Sequence, residues 1–366
     1  NVDWDYPIEQ FNEAWKEQLL YVEHTWGAYL SCTEPNSLLA KDQWAIKEHM
    51  ANSAGQWAKR LLHSAAVRHS LSWNNNGREV VVYNPHSWKV SGTVTVEIER
   101  NERVINSENG EAVPIRLLHT SGTQAVVELL VDETPGLSYR RFILQGKDQH
   151  ISSTVSEITQ PIVLENSFYK LIVDPSKGCL TCWYDKELDK ELTDINDNWS
   201  FGQVLYASGG EGTRLVSNQA DLPDGNPEVT GTFELIHAEY EAYSYGERVR
   251  ITGTVPFGKL DIEWLLPRTS KHVDVKYNLN KTAVLEKEAV YVAFPLNQLE
   301  GAVLSDSQLG WVDWDKDQLS GGCKEWLPLQ TGILSRCSDA DVLAKWFKGI
   351  GLNLKSLMED ESSPMS

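Results

Sequence analysis

A histidine beside a carboxylate, at the end of a predicted helix, is the first place in this sequence where metal chemistry could sit. The segment reads Tyr21-Val-Glu-His-Thr-Trp-Gly27. His24 lies just past the last apolar position of a helical stripe and shortly before a glycine, which marks a helix terminus. An imidazole with a neighbouring carboxylate to orient it is one arrangement by which proteins ligate metals. The plain alternative is a capping or surface histidine. Imidazole suits zinc, but a closed zinc site takes about four ligands, and the adjoining sequence supplies no others.

The thiols offer less. Cys32, Cys179, Cys182, Cys323 and Cys337 are an odd number, too sparse for a disulfide framework. Cys179 and Cys182 form a C-x-x-C, but Gly178-Cys-Leu-Thr-Cys-Trp-Tyr184 reads as a strand, where residues three apart face opposite sides. No second matched pair completes a zinc site. Buried or half-buried free cysteines fit better, and such usage suits a reducing cytoplasm. Fourteen tryptophans stand beside 13 tyrosines and 8 phenylalanines. Large aromatics build cores, and they also make flat faces for sugar rings. Trp199, Trp311 and Trp314 fall on predicted loops and are candidates for the second role. No nucleophile elbow, H-E-x-x-H, dinucleotide fingerprint or EF-hand loop occurs. The acidic residues are too numerous and scattered for spacing to nominate an acid/base pair.

Which elements would position these groups? The first 70 or so residues are helical. Ile8, Phe11, Trp15, Leu19 and Val22 form one apolar stripe at helical spacing, and Pro7 suits the first turn. Gly27 and the stretch around Pro35 interrupt it. Ile46, Met50, Ala54, Trp57, Leu61, Leu62 and Ala65 then make a second stripe, over a helix predicted from Asp42 to about His69. Two helices joined by a loop read as an antiparallel pair. They cannot enclose a core alone, so they are expected to pack on something further, upstream of Asn1.

At Trp73-Asn-Asn-Asn-Gly77 the period changes from 3.6 to 2. Short strands follow at hairpin spacing, in Val80–Tyr83, Val94–Ile98, Pro114–Leu118, Gln124–Val131 and Tyr139–Leu144. Further strands are read at Phe168–Val173, Cys179–Asp185, Phe233–Ala238, Glu247–Val255 and Leu260–Leu265, and the cleanest alternation is Val273, Val275, Tyr277, Leu279. Between them lies a long polar loop, Ser208 to Gly225, without phosphate-loop chemistry. The expected fold class is mainly β: an N-terminal helical hairpin or bundle fragment (1–72), a small β-sandwich module (78–155) and a larger, supersandwich-like antiparallel β-sandwich (160–340). Near Gly332 the strand pattern fades, and 341–366 reads as an atypical, poorly ordered tail.

Composition bounds the partners. Lys plus Arg is 33 against 52 Asp plus Glu, a net charge of −19 over 366 residues. No basic stripe is available for a nucleic-acid backbone, and no apolar run is long enough for a transmembrane helix. A small neutral or cationic partner is favoured.

Several blocks, in order, resemble one family. They are Glu23-His-Thr-Trp-Gly27, Val80-Val-Val-Tyr-Asn-Pro-His-Ser-Trp88, Asn166-Ser-Phe-Tyr-Lys-Leu-Ile-Val-Asp-Pro-Ser-Lys-Gly178 with Asp185-Lys186, Phe201-Gly-Gln-Val-Leu-Tyr206, Tyr291-Val-Ala-Phe-Pro295 and Asp317-Gln-Leu-Ser-Gly-Gly-Cys-Lys-Glu-Trp326. Together they resemble the later part of glycoside hydrolase family 38, the retaining α-mannosidases. The resemblance implies a helical domain followed by β-sandwich domains, downstream of an α/β catalytic domain that would precede Asn1. It implies zinc as cofactor, an α-mannoside as substrate, and His24 as the one zinc ligand in this chain. The family's His usually follows another His and precedes an Asp, whereas His24 stands between Glu23 and Thr25. The nucleophile, general acid and remaining ligands would belong to the α/β domain, so this chain alone is expected to be inactive. A stand-alone carbohydrate-binding or scaffold β-sandwich is the alternative.

Overall fold

The computed structural model describes residues 5–23, 29–31, 33–71, 78–146, 154–194, 196–208, 228–284, 288–297, 301–307, 310–322, 329, 331–337 and 341–345. The chain falls into two compact units, Asn1–Val80 and Val81–Ser366.

The first unit is a pair of helices, α1 (Ile8–Val22) and α2 (Leu38–Leu71). The predicted stripe of α1 coincides with the helix from end to end. Its residues are not covered: Ile8, Trp15, Leu19 and Val22 are all more than half exposed, and no residue of α1 is buried. Among the described side chains of α2, only Ala40 and Ala54 are buried. Phe11, Trp15, Ala54, Ala58, Leu61 and Leu62 line a groove of about 540 Å³ along the pair. The helical period is therefore real, while the apolar area that would stabilise the pair remains in water.

The second unit is built from strands β1 (Glu79–Asn84), β2 (Val90–Glu99), β3 (Glu102–Asn106), β4 (Ile115–Ser121), β5 (Gln124–Thr134) and β6 (Ser138–Gly146), then β7 (Thr154–Glu157), β8 (Ile162–Glu165), β9 (Tyr169–Asp174), β10 (Cys179–Asp185), β11 (Lys190–Glu191), β12 (Val204–Ser208) and β13 (Glu228–Thr230). It continues through β14 (Glu234–Tyr243), β15 (Gly246–Val255), β16 (Gly258–Pro267), β17 (Asp274–Lys281), β18 (Glu288–Val292), β19 (Gly301–Ser307), β20 (Gly310–Asp313), β21 (Gly332–Cys337) and β22 (Asp341–Lys345). The fold is mainly β with a helical N-terminal part, as the change of period requires.

Strands β1 to β6 make two three-stranded sheets, ordered β1-β6-β3 and β2-β5-β4. Ala125, Val127, Leu129 and Val131 are buried at every second position of β5, the period-2 signature of a half-buried strand. The largest sheet, β17-β16-β15-β14-β7, and the sheet β11-β10-β9-β8 share one core. Leu164, Leu171, Val173 and Leu180 meet Val249, Ile251, Leu260, Ile262, Trp264 and Leu266 in it. Trp264 is the largest fully buried side chain, at 1% exposure. Each such large apolar side chain contributes about 1.5–3 kcal/mol on burial.

Two strands stand where the pattern was expected to fade. β21 pairs with β22 from Gly332↔Lys345 to Arg336↔Asp341, and β21 also pairs with β19. Ile333 and Trp314 form a small satellite core with Phe294, Val303 and Leu329. Gly332-Ile-Leu-Ser-Arg-Cys337 and Asp341-Val-Leu-Ala-Lys345 are short and mix apolar with polar side chains irregularly. Periodicity alone misses such strands. The stretch 346–366 lies outside the described residues.

Candidate functional site

His24 lies outside the described residues, as does most of the Ser208–Gly225 loop. The approach to His24 is described. Lys47 of α2 donates hydrogen bonds from Nζ to the carbonyl oxygens of Leu20 (2.7 Å), Tyr21 (3.0 Å) and Glu23 (2.9 Å). Those are the carbonyls that a helix C-terminus leaves without partners, and an ammonium there also complements the helix dipole. The end of α1, immediately before His24, is thus tied to α2.

The resemblance-bearing blocks that begin at Asn166, Phe201 and Tyr291 are joints of the β framework. Asn166 accepts from the backbone N–H of Phe168 (2.8 Å) and Tyr169 (2.7 Å), and its amide donates to the Pro267 carbonyl (2.7 Å), fastening β9 to the end of β16. Asp174 accepts from the Ser176 amide (2.9 Å) and hydroxyl (2.6 Å), and the turn closes at Gly178, whose φ is +67°. Asp185 is buried, accepts from the backbone N–H of Glu187 and Leu188, and meets Lys271 Nζ at 3.1 Å. Gly202 sits at φ +82° beneath the core tryptophan: a Cβ there would lie 2.5 Å from the Trp264 ring. Its amide donates to the Ala293 carbonyl at 2.7 Å, and Phe201 meets the Phe294 ring edge-on, so the Phe201–Tyr206 and Tyr291–Pro295 blocks hold each other.

A dense cluster of ionisable groups among the described residues was invisible as a motif. Arg116 on β4 donates to both carboxylate oxygens of Glu241 on β14, at 3.0–3.2 Å. Glu241 also accepts from Arg248 on β15 at 2.6 Å, and Arg248 reaches Glu263 at 2.8 Å. Arg116, Glu241 and Arg248 are 4%, 3% and 6% exposed. Glu128 meets Arg116 at 3.5 Å and accepts from the Tyr245 hydroxyl at 3.0 Å, while the Arg116 guanidinium lies 5.0 Å from the Tyr243 ring centre. Burial, together with neighbouring carboxylates, pushes the Tyr243 and Tyr245 phenols far up. A carboxylate whose oxygens are both gripped by guanidiniums has no oxygen left for attack on a substrate. The cluster ties the sheet of β2, β4 and β5 to the large sheet, and its role is architectural.

Two thiols, Cys179 and Cys182, are equally unreactive. Cys179 is fully buried, and burial pushes its thiol up to about 11. Cys182 donates from Sγ to Glu191 at 2.8 Å, and burial and that carboxylate push it up to about 12. Burial alone would raise Glu191, but hydrogen bonds from the Cys182 thiol, the Thr193 hydroxyl and two backbone N–H groups hold it below the usual carboxylate range. Both cysteines are free, and neither can offer thiolate near neutral pH. Glu165 and Asp313 are also lowered, Glu165 chiefly by Lys186, Asp313 by backbone amides and Lys316 against the opposing pull of desolvation. A glycosidase general acid needs the opposite shift.

The three tryptophans nominated for sugar contact separate. Trp314 is core, Trp199 is half-buried, and only Trp311 is exposed. Among the described residues no group of three or more His, Cys, Asp or Glu side chains is placed to hold a metal. No helix among them is long and apolar enough to cross a membrane. One imidazole does not make a zinc site, so any zinc would need further ligands from outside the described residues.

No protein-family model and no curated protein matches the chain. Among solved structures, the chain is similar to the crystal structure of an α-mannosidase from Enterococcus faecalis V583, with a TM-score of 0.64 at 14% identity. The likeness covers 93% of this chain and 45% of that one, so the chain spans under half the length of the protein it matches. The chain therefore has the fold of the corresponding part of an α-mannosidase.

Proposed function

We propose that the chain is the helical and β-sandwich portion of a zinc-dependent, retaining α-mannosidase of the family 38 type, acting on α-mannosides only when joined to an α/β catalytic domain. The observation that carries the reading is the likeness to an α-mannosidase over 93% of the chain. The ordered blocks from Glu23 to Trp326 support it independently. The covered fraction of the neighbour, 45%, leaves ample length there for a catalytic domain. The exposed stripe on α1 and the groove beside it offer an apolar face for that domain.

In this reading the chain's contribution to chemistry is one imidazole. His24 would complete a zinc shell whose other ligands, with the nucleophile and general acid, come from the catalytic domain. Zinc bound there would act as template and Lewis acid toward adjacent sugar hydroxyls. Lys47, by fixing the last carbonyls of α1, would set where His24 begins. The free thiols Cys179 and Cys182 fit a reducing cytoplasmic compartment.

The test is His24→Ala in the chain joined to its catalytic domain, with zinc measured by mass spectrometry of the metal and activity on an aryl α-mannoside. Loss of both is expected. Unchanged zinc content would remove His24 from the site.

A further inference from the structure

We infer that Trp88 is a rigid sugar-stacking platform on the small β module, a non-catalytic contact for a neutral pyranoside. Trp88 is 61% exposed, on the loop that follows β1. Exposed indoles are common, but this one is held in place by an unusual investment. Asn84, 5% exposed, donates from Nδ2 to the carbonyls of Trp88 (2.7 Å), Thr134 (3.0 Å) and Pro135 (2.9 Å), and accepts from the His86 amide at 3.0 Å. The Leu137 amide donates to the His86 carbonyl at 2.7 Å. Gly136 presses so closely on the loop that a Cβ there would lie 2.5 Å from the Ser87 carbonyl carbon. The His86 ring stacks on Trp88, with centres 4.7 Å apart and planes 21° apart.

Strain is an independent sign. Glu133 and Leu137, at φ +48° and +49°, are two of the four non-glycine residues with left-handed backbone among the described residues, and they bracket the turn that anchors Trp88. Such conformations are costly for side chains with a Cβ and persist where the surroundings over-determine them. A surface loop whose backbone is fixed by a buried amide and two left-handed residues, and whose solvent-facing indole stacks on His86, is organised for contact.

The surroundings select the ligand. Polar pairs flank the loop and the strand that anchors it: Lys89 pairs with Glu133 at 3.4 Å, and Ser91 donates to Asp132 at 2.6 Å. A pyranose suits such a site: its C–H face lies on the electron-rich indole while its hydroxyls meet water and the polar groups beside the loop. The net charge of −19 disfavours anionic sugars. The platform stands on this loop geometry, and only the choice of mannose among sugars rests on the α-mannosidase reading.

The experiment is calorimetric titration of the full chain with methyl α-mannopyranoside, an α-linked mannobiose, and the matching glucosides and galactosides. Binding of at least one is expected, weakened at least tenfold in Trp88→Ala and kept within about threefold in Trp88→Phe. As a readout independent of folding in the alanine variant, the Trp88 resonance of 5-fluorotryptophan-labelled wild type, assigned by Trp88→Phe, should shift on adding the bound sugar. Trp88-dependent binding of glucosides or galactosides alone would keep the platform and remove the mannoside reading. No binding by wild type, binding unchanged in Trp88→Ala, or Trp88-dependent self-association without sugar binding would each overturn the inference.

Discussion

Replacing Glu241 with glutamine should unsettle the β unit more than any exposed substitution of equal size. The side chain keeps its shape and loses its charge. Arg116 and Arg248, both almost fully buried, are then left facing a neutral amide. Removing one partner of a buried ion pair costs about 3–5 kcal/mol, because the other charge stays desolvated and uncompensated. At about 2 °C per kcal/mol, the figure for larger domains, the melting transition should fall by roughly 6–10 °C. Arg116→Met should cost a similar amount, since Glu241 would keep Arg248 but lose its bidentate partner. The double variant Arg116→Met/Glu241→Gln should recover part of the loss. Arg248 still has Glu263 and Glu239 within reach, and the buried charge imbalance is smaller. A double-mutant cycle by urea unfolding should therefore give a coupling above about 1.5 kcal/mol. Exposed pairs give about 0.2–1 kcal/mol. A fall below 2 °C for Glu241→Gln, or strictly additive losses, would refute the account of this cluster as a buried tie between sheets.

Two further outcomes follow from the same framework. Gly202→Ala should destabilise by about 1–3 kcal/mol, since the new methyl meets the Trp264 ring and the backbone is left-handed. Gly146→Ala, which meets nothing within 4 Å, should change the urea midpoint little, and equal effects at the two sites would contradict the packing argument. Cys179 and Cys182 should resist iodoacetamide in the native chain at pH 8 under conditions that fully alkylate the unfolded chain, as read by peptide mass spectrometry. Because both thiols are raised, to about 11 and 12, their native reactivity should climb only as the pH approaches those values. Rapid alkylation of either near neutrality would show that its thiolate is accessible.

The legibility of this chain followed the physics of each signal. The α1 stripe ran from Ile8 to Val22, and the helix has those bounds, because a Pro start and a clean 3.6 period leave no competing pattern. The strand Cys179–Asp185 was equally plain between a Gly-ended turn and a charged one. By contrast, β21 and β22 alternate poorly; β21 is held by pairing with β19, and β22 by pairing with β21, rather than by their own pattern. The Arg116–Glu241 contact joins residues 125 apart, and charged residues in strands read as solvent-facing. One half of it was accessible: Glu241 and Arg248 are direct cross-strand partners across the tight turn at Ser244-Tyr245, a pairing that the hairpin alone dictates. Trp88 was read only as part of Asn84-Pro-His-Ser-Trp88, since neither its exposure nor the strain at Glu133 and Leu137 leaves a mark in composition.

The proposed function has this chain serve an α-mannosidase with a single imidazole, His24, while a catalytic domain supplies the rest of the chemistry. Fusing the chain to a family-type α/β catalytic domain and assaying an aryl α-mannoside, with the anomer of the first product followed by NMR, tests it most directly. The account predicts no turnover by the chain alone, and zinc-dependent turnover by the fusion that releases the α-anomer first and is lost with His24→Ala. Turnover by the isolated chain, or a folded fusion that binds zinc yet leaves α-mannosides intact, would contradict it.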